Sequence, residues 1–381
     1  MKRMGLVLFV MGLTVAPAAG QQTLDFAGRT WVVTAPDAKV ASHLGREALL
    51  LRNGGVFLPD AEFGSGVIEY DVATTGHRSF VGAALHLRQG ERTTYEEFYL
   101  RPHQTGRFDA TQYTPNFGGL TAWQLYPEYN APVEIPRDEW VHVRLVISGA
   151  RMEAFIGGAE EPTLVVEELR MGGRPGGLGL YSNFPEAAAL ALYPTAFSNF
   201  TFTRGASVGA AEAAPVERPD GVIGSWAISA SEAAAAGALT ALDSEALASR
   251  AWDVIDTDAM GRINIAEERA FPAGARQGRV YARVTIHAPT AQGATLHFGF
   301  SDRGSVFLNG RLLFTGDNTY RSRSMRYLGV MTLDNDALVL PLRAGENELV
   351  IAVTEAFGGW GINARLEGDG GLRVIAEPPG G

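Results

Sequence analysis

Cysteine is missing altogether from the 381 residues, which excludes disulfides and thiolate-bound metals and leaves the buried cores to carry stability. Cations are the scarcer charge, 32 Lys and Arg against 42 Asp and Glu. The resulting formal charge of −10 argues against nucleic acid or an anionic membrane as partner. Helical periodicity is nearly absent. No second long apolar run follows the one at the start of the chain, so no membrane insertion is expected. Also missing are a Gly-x-Ser-x-Gly elbow, a His-Glu-x-x-His helix, a phosphate loop and a dinucleotide fingerprint. Their absence removes the usual serine hydrolase, zincin and nucleotide-dependent routes, without removing enzymes as a class.

What is present begins with residues 1–20, which read as a cleavable secretory signal. Lys2 and Arg3 precede an apolar run from Met4 to Val15, and the small residues Ala16, Ala18, Ala19 and Gly20 follow. The run is short for a membrane span. No cysteine follows it to carry a lipid anchor. The expected mature chain starts near Gln21 and is secreted or periplasmic. Loss of two cations takes its formal charge from −10 to −12.

Short segments rich in β-branched and aromatic residues then recur about every ten residues between Gly, Pro, Asn and Asp, the pattern of many short strands. Strands are expected at 31–34, 48–52, 66–73, 80–88, 95–101, 110–114, 140–148, 152–156, 163–166, 177–182 and 196–203, and these make an all-β sandwich. In 140–148, Val141, Val143, Leu145 and Ile147 alternate with His142, Arg144 and Val146, one face in and one out. Trp140, opening that strand, reads as core. Residues 205–220, Ala-rich and with two prolines, read as a linker. In 221–381, Ser229 to Arg250 is rich in Ala, Leu and Glu, and Ser229 and Glu232 have the spacing of a capping box, which predicts one or two short helices or turns in that stretch. Strands return at 279–287, 294–300, 305–309, 311–314, 338–342 and 347–354.

The stretch 94–126 carries the densest chemistry. In an extended strand Glu97, Tyr99, Arg101 and His103 share one face, and Phe98 and Leu100 the other. Asp109, Gln112, Tyr113, Trp123, Gln124 and Tyr126 add hydrogen-bonding and flat aromatic groups within about thirty residues. That mixture suits an extended polar ligand such as a sugar, whose hydroxyls take hydrogen bonds and whose C–H faces stack on rings. Arg101 beside a carboxylate reads equally well as an ion pair holding strand to loop. His103 is a proton carrier if suitably placed. His86 and His142 lie on strands whose order the sequence leaves open, so no three-histidine metal site is derived from them. Trp360, between Gly358-Gly359 and Gly361, reads as a binding ring on a flexible loop.

GVIEYDV at 66–72, SFVGAALHLR at 79–88, EEFYLRPH at 96–103, DEWVHVRLVISGARMEAFI at 138–156, and GGLGLYS followed by AFSNFTF resemble a concanavalin A-like, laminin-G-like jelly roll over about 22–204. Members of that family bind or hydrolyse glycans on the concave sheet, which implies the polar strand faces above as the site. GRVYARVTIHAP, HFGFSDRGSVFLNGRLLFTG and LVLPLRAGENELVIAVTEAFGGWGINARLE resemble the galactose-binding-like jelly roll appended to many glycosidases. The Asn309-Gly310 turn and the Gly345-Glu346-Asn347 turn are the strongest matches. Asn-Gly supplies the positive φ angles that a two-residue hairpin needs. The resemblance implies a weaker sugar site or a rigid support in that second domain.

Laminarinase-like glycosidases of the first fold carry Glu-x-Asp-x-Glu on one strand. Here Glu69 and Asp71 stand at the first two positions and Ala73 at the third, so one catalytic carboxylate is missing. Asp302 and Arg303 open a turn. Asp334 and Asp336 offer oxygens that a structural calcium ion accepts, and turn chemistry explains them equally.

The expectation is therefore two β-sandwich jelly-roll domains in tandem, 21–204 and 221–381, forming an exported protein that binds a glycan or glycoconjugate without cleaving it. Arg101, His103, Gln112, Tyr113, Trp123, Tyr126 and Trp360 are the expected contacts. No cofactor other than that calcium ion is implied, and no oligomeric state. A glycoside hydrolase or glycan lyase using Glu97, Asp109 and His103 is the alternative. A noncatalytic module for binding another protein is a third reading.

Overall fold

The computed structural model describes residues 22–185, 194–205, 216–368 and 370–379. The leader expected at 1–20 and most of the linker expected at 205–220 lie outside them. Among the described residues the chain separates into two compact units. The first takes residues up to 119 and from 128 to 205; the second takes Leu120–Pro127 and the residues from 216 onward.

Each unit packs two antiparallel sheets around an apolar core. In the first unit the larger sheet runs, in spatial order, Thr23–Phe26, Arg29–Val33, Gly54–Phe63, Gly176–Asn183, Phe80–Arg88, Thr94–Leu100 and Thr111–Phe117, with Asn130–Ala131 pairing on the last. The smaller sheet runs Leu164–Val166, Arg151–Ile156, Trp140–Ser148, Gly66–Ala73, Thr195–Arg204, Arg46–Leu51 and Lys39–His43. Alternation decides the faces. Val56, Leu180, Phe98 and Tyr113 point into the interior of the larger sheet, and Ile68, Tyr70, Val143, Leu145 and Phe197 into that of the smaller one. Trp31 on one sheet meets Phe200 on the other with ring centres 4.9 Å apart, and its indole N–H donates to the Phe26 carbonyl at 2.9 Å. Burying such rings, at about 25 cal/mol per Å² of apolar surface, is the stabilisation that a chain without disulfides depends on.

The core of the first unit also holds a polar network. His86, in a left-handed conformation at an irregularity in its strand, contacts Glu96 Oε2 through Nδ1 at 2.5 Å and the Gly64 carbonyl through Nε2 at 2.8 Å. Glu96 Oε1 accepts from the Tyr113 hydroxyl at 2.6 Å and from the Met171 amide at 3.1 Å. Both His86 and Glu96 are 0% exposed. Both ring nitrogens of His86 and both carboxylate oxygens of Glu96 thus have partners, as buried polar groups require.

In the second unit the larger sheet runs Trp252–Asp256, Ser225–Ser229, Gly278–Ala288, Gly345–Glu355, Arg303–Leu308 and Arg311–Asp317. The other sheet runs Arg262–Asn264, Gly361–Glu367, Gln292–Ser301 and Asp336–Leu342. Phe298, Phe300 and Phe314 meet between the sheets. Within the 229–250 stretch expected to hold a short helix or turn, a helix forms at Ser244–Ala248, where the Asp243 side chain, and not that of Ser229, caps it by accepting from the Ala246 amide. Ser229 ends a strand instead, its hydroxyl accepting from the Tyr281 amide at 2.9 Å.

Candidate functional site

The outer face of the first unit's larger sheet is built by register. One row across the strands is Gly55, Tyr181, Gly82, Tyr99 and Gln112; the next is Phe57, Gly179, Ala84, Glu97 and Thr114. The middle strands thus contribute almost no side chain and form a floor. Gly82 is required there, since a Cβ would fall 2.0 Å from the Phe98 carbonyl oxygen of the neighbouring strand. Phe57 lies over Gly179 and Gly55. The tall side chains Tyr181, Tyr99, Gln112 and Glu97, with Tyr95 two residues before Glu97 on the same strand face, stand around this floor.

Glu97 governs the electrostatics. Burial raises the phenols of Tyr95 and Tyr181 well above the usual tyrosine value, and the Glu97 charge adds to both shifts. Burial pushes Tyr99 up to about 12, with Arg101 opposing and Glu97 reinforcing. Three neutral phenols therefore crowd one carboxylate at every physiological pH.

Arg101 fixes the end of the same face. Its guanidinium donates to Tyr99 Oη at 3.0 Å, to Gln112 Oε1, to the Asp109 carbonyl at 2.9 Å and to Asn130 Oδ1 at 3.3 Å, and it lies 3.6 Å from the Asp109 carboxylate. Tyr99 Oη in turn donates to Gln112 Oε1 at 2.7 Å. The ion-pair reading of Arg101 describes this geometry: it braces the strand and loop and orients Tyr99 and Gln112. His103 follows in a short 3-10 turn, Pro102–Gln104, edge-on to Phe80 at 5.6 Å. Burial first, and then Arg78 and Arg101, lower its pKa to about 4, so the ring is neutral near pH 7.

Glu97, Arg101, His103, Asp109 and Gln112 are thus gathered in one region of the first unit, while four other expected contacts are placed elsewhere. Tyr113 faces the core, donating to Glu96, because it sits one residue out of phase with Gln112. Trp123 and Tyr126 belong to the second unit. Tyr126 is buried under Arg262, whose guanidinium is 3.9 Å from the ring centre, and Arg262 also donates to the Leu125 carbonyl. Trp123, half-buried, meets Tyr320 and Phe357 edge-on at 5.8 and 6.2 Å. Gln124 is stitched to Leu328, Met331 and Gly358 of the same unit. Trp360 is 0% exposed and donates to the Val353 carbonyl at 3.2 Å. The glycines beside it do not loosen the loop; they admit Leu125, which a Cβ on Gly359 or Gly361 would strike.

Glu69 and Asp71 lie on the other sheet. Asp71 accepts from Arg46 at 2.5 Å, Asn199 at 2.7 Å and His142 Nδ1 at 2.8 Å, so its oxygens serve internal partners. Trp140 packs half-buried beside them over Ala73 and Ala196 rather than in the interior. His86, His103 and His142 occupy three separate places, and among the described residues no group of three or more His, Asp or Glu side chains is arranged to hold a metal ion. Asp334 pairs with Arg365 at 3.2 Å and Asp336 lies 3.7 Å from Arg323. Asp302 and Glu355, both 0% exposed, form a buried acid pair in the second unit. Asp302 Oδ2 accepts from the Ala356 and Phe357 amides at 2.9 Å each, while Asp302 Oδ1 and Glu355 Oε2 have no hydrogen-bond partner.

Tyr95 and Tyr181 are site residues that the sequence reading missed. Tyr95 shares the period-2 face of Glu97 and Tyr99 and was there to be found; Tyr181 comes from a strand some eighty residues on, and only the sheet order brings it in.

No protein-family model matches the chain, and no curated protein matches it. Among solved structures it is similar to the carbohydrate binding module CBM66 from Bacillus subtilis, at 12% identity and a TM-score of 0.30 over 45% of this chain and 94% of that one. It is similar to the Caenorhabditis elegans galectin LEC-6 at 10% identity and a TM-score of 0.29, over 45% and 99% of the two chains. A third is SCLam, a non-specific endo-beta-1,3(4)-glucanase from family GH16, at 9% identity and a TM-score of 0.28 over 43% and 73%. Likenesses this low identify neither ligand nor activity. The class that the structure defines is an all-β protein of two double-sheet units.

Proposed function

We propose that this chain is an exported carbohydrate-binding protein whose first unit takes a glycan on the outer face of its larger sheet. One observation carries the reading: the half-buried Glu97 carboxylate stands among Tyr95, Tyr99 and Tyr181 over a floor of Gly82, Gly179 and Ala84. A carboxylate accepts hydrogen bonds from sugar hydroxyls, and phenols hydrogen-bond or stack. Bracing of Tyr99 and Gln112 by Arg101 holds two of these groups in place before ligand arrives, which lowers the ordering cost of binding.

A glycan array on the mature protein, run beside Glu97→Gln and followed by product analysis, tests this. Charge-assisted hydrogen bonds contribute about 1.5–3 kcal/mol, so the variant should bind roughly ten- to a hundredfold more weakly with the sugar left intact. Sugar fragments accumulating over time would move the assignment to the hydrolase or lyase reading. Silence across the array would move it to a protein partner.

A further inference from the structure

We propose that the glycan read by this face carries an acidic group, a carboxylate or a sulfate ester, seated against His103, Arg78 and Arg107 at one edge of the sheet. This rests on the glycan reading and adds the charge class of the ligand. Phe80 is the hub of the cluster. His103 stands edge-on to it, the Arg101 guanidinium lies 5.8 Å from its centre, and Arg78 precedes it by two residues. Arg107 is exposed in the adjoining turn, where its amide donates to the Gln104 carbonyl and its own carbonyl accepts from the Ala110 amide.

The balance of partners is uneven. Arg101 is matched by Asp109, and Glu134 accepts from Thr105 at 3.1 Å. The side chains of Arg78 and Arg107 make no hydrogen bond or ion pair among the described residues. His103 bonds the Ser79 backbone through one ring nitrogen, and the other, Nδ1, is buried without a partner. Two unmatched guanidiniums beside an orphaned ring nitrogen make an unfinished anion site. An acidic oxygen accepts from both arginines, whose charge is independent of the neutral His103 ring beside them. Phe108, 65% exposed and next to Arg107, offers a ring to the adjoining sugar.

Arg101 lies four residues along the chain from Glu97, roughly 13 Å at the rise of an extended strand, so a ligand touching both has more than one ring. At that separation, beyond a Debye length of about 8 Å, the Glu97 carboxylate does not repel the acidic group strongly. The same screening lets two local cations outweigh the formal charge of −10.

Binding of full-length mature protein to four probes tests the assignment: oligogalacturonate and its carboxyl-reduced form, and a sulfated galactan and its desulfated form. One acidic probe is expected to bind at least tenfold more tightly than its neutral counterpart, and which one distinguishes carboxylate from sulfate. Arg78→Gln/Arg107→Gln should erase that difference and flatten the salt dependence, with an unchanged melting temperature because neither side chain holds a partner. Equal binding of acidic and neutral forms, still lost in Glu97→Gln, would overturn the acidic subsite and leave the glycan reading standing. Failure of all four probes together with silence across the wider array would overturn both.

Discussion

Replacing Asp302 by Asn should stabilise the protein above neutral pH. Burial is the first cause of the shift that pushes the Asp302 carboxyl from 3.8 up to about 7, against the pull of the Phe357 and Ala356 amides. Burial and the Asp302 charge together raise Glu355 as well. A group whose folded value lies above its unfolded one contributes stability that is complete below the unfolded pKa and drains away as pH rises through the folded pKa. For Asp302 that window runs from 3.8 to about 7. At about 1.36 kcal/mol per pKa unit, ionising it in place costs on the order of 4 kcal/mol by pH 8. Asn keeps an oxygen for the Ala356 and Phe357 amides and holds no titrating proton, so Asp302→Asn should match the parent near pH 4 and exceed it at pH 8 by up to that amount. Asp302→Ala removes the acceptor and should be destabilising at both, by about 1–3 kcal/mol for each buried amide left unpaired. Urea unfolding of the three proteins between pH 4 and 9 measures these differences. A parent whose stability relative to Asp302→Asn stays level or rises across that range would refute the reasoning.

Two further outcomes separate core from site. Tyr113→Phe removes a hydroxyl that donates to Glu96 and accepts from the Arg170 amide, and should cost about 1–2 kcal/mol in urea unfolding without altering glycan affinity; a loss of affinity at unchanged stability would return Tyr113 to the binding face. Trp360→Ala should cost about 3–5 kcal/mol, as for a large buried ring, again with affinity unchanged; unaltered stability would show that the ring is not core.

Strands at 66–73, 80–88, 140–148 and 347–354 were legible because one-in, one-out alternation is a property of neighbouring residues. So was the shared face of Glu97, Tyr99 and Arg101, which depends only on a period of two. Ser229 shows the limit of a local rule: capping-box spacing is satisfied there, yet pairing with Trp252–Asp256 and Gly278–Ala288 holds it in a strand. Trp123 and Tyr126 show it again, since closeness in sequence to Gln112 suggested one site and the chain places them in the other unit.

By itself, then, the sequence determined the all-β class, the position of most strands and the polar face of one of them, because these follow from dihedral preference and side-chain alternation over a few residues. Tertiary structure alone decided that Tyr181 joins Glu97, that Tyr113 turns inward to Glu96, that Trp360 is core, and that Arg78 comes near enough to His103 to act on its ring. Those facts depend on strand order and on loops meeting across long sequence separations, where the free energy of burying whole faces selects among pairings that local propensity leaves equal.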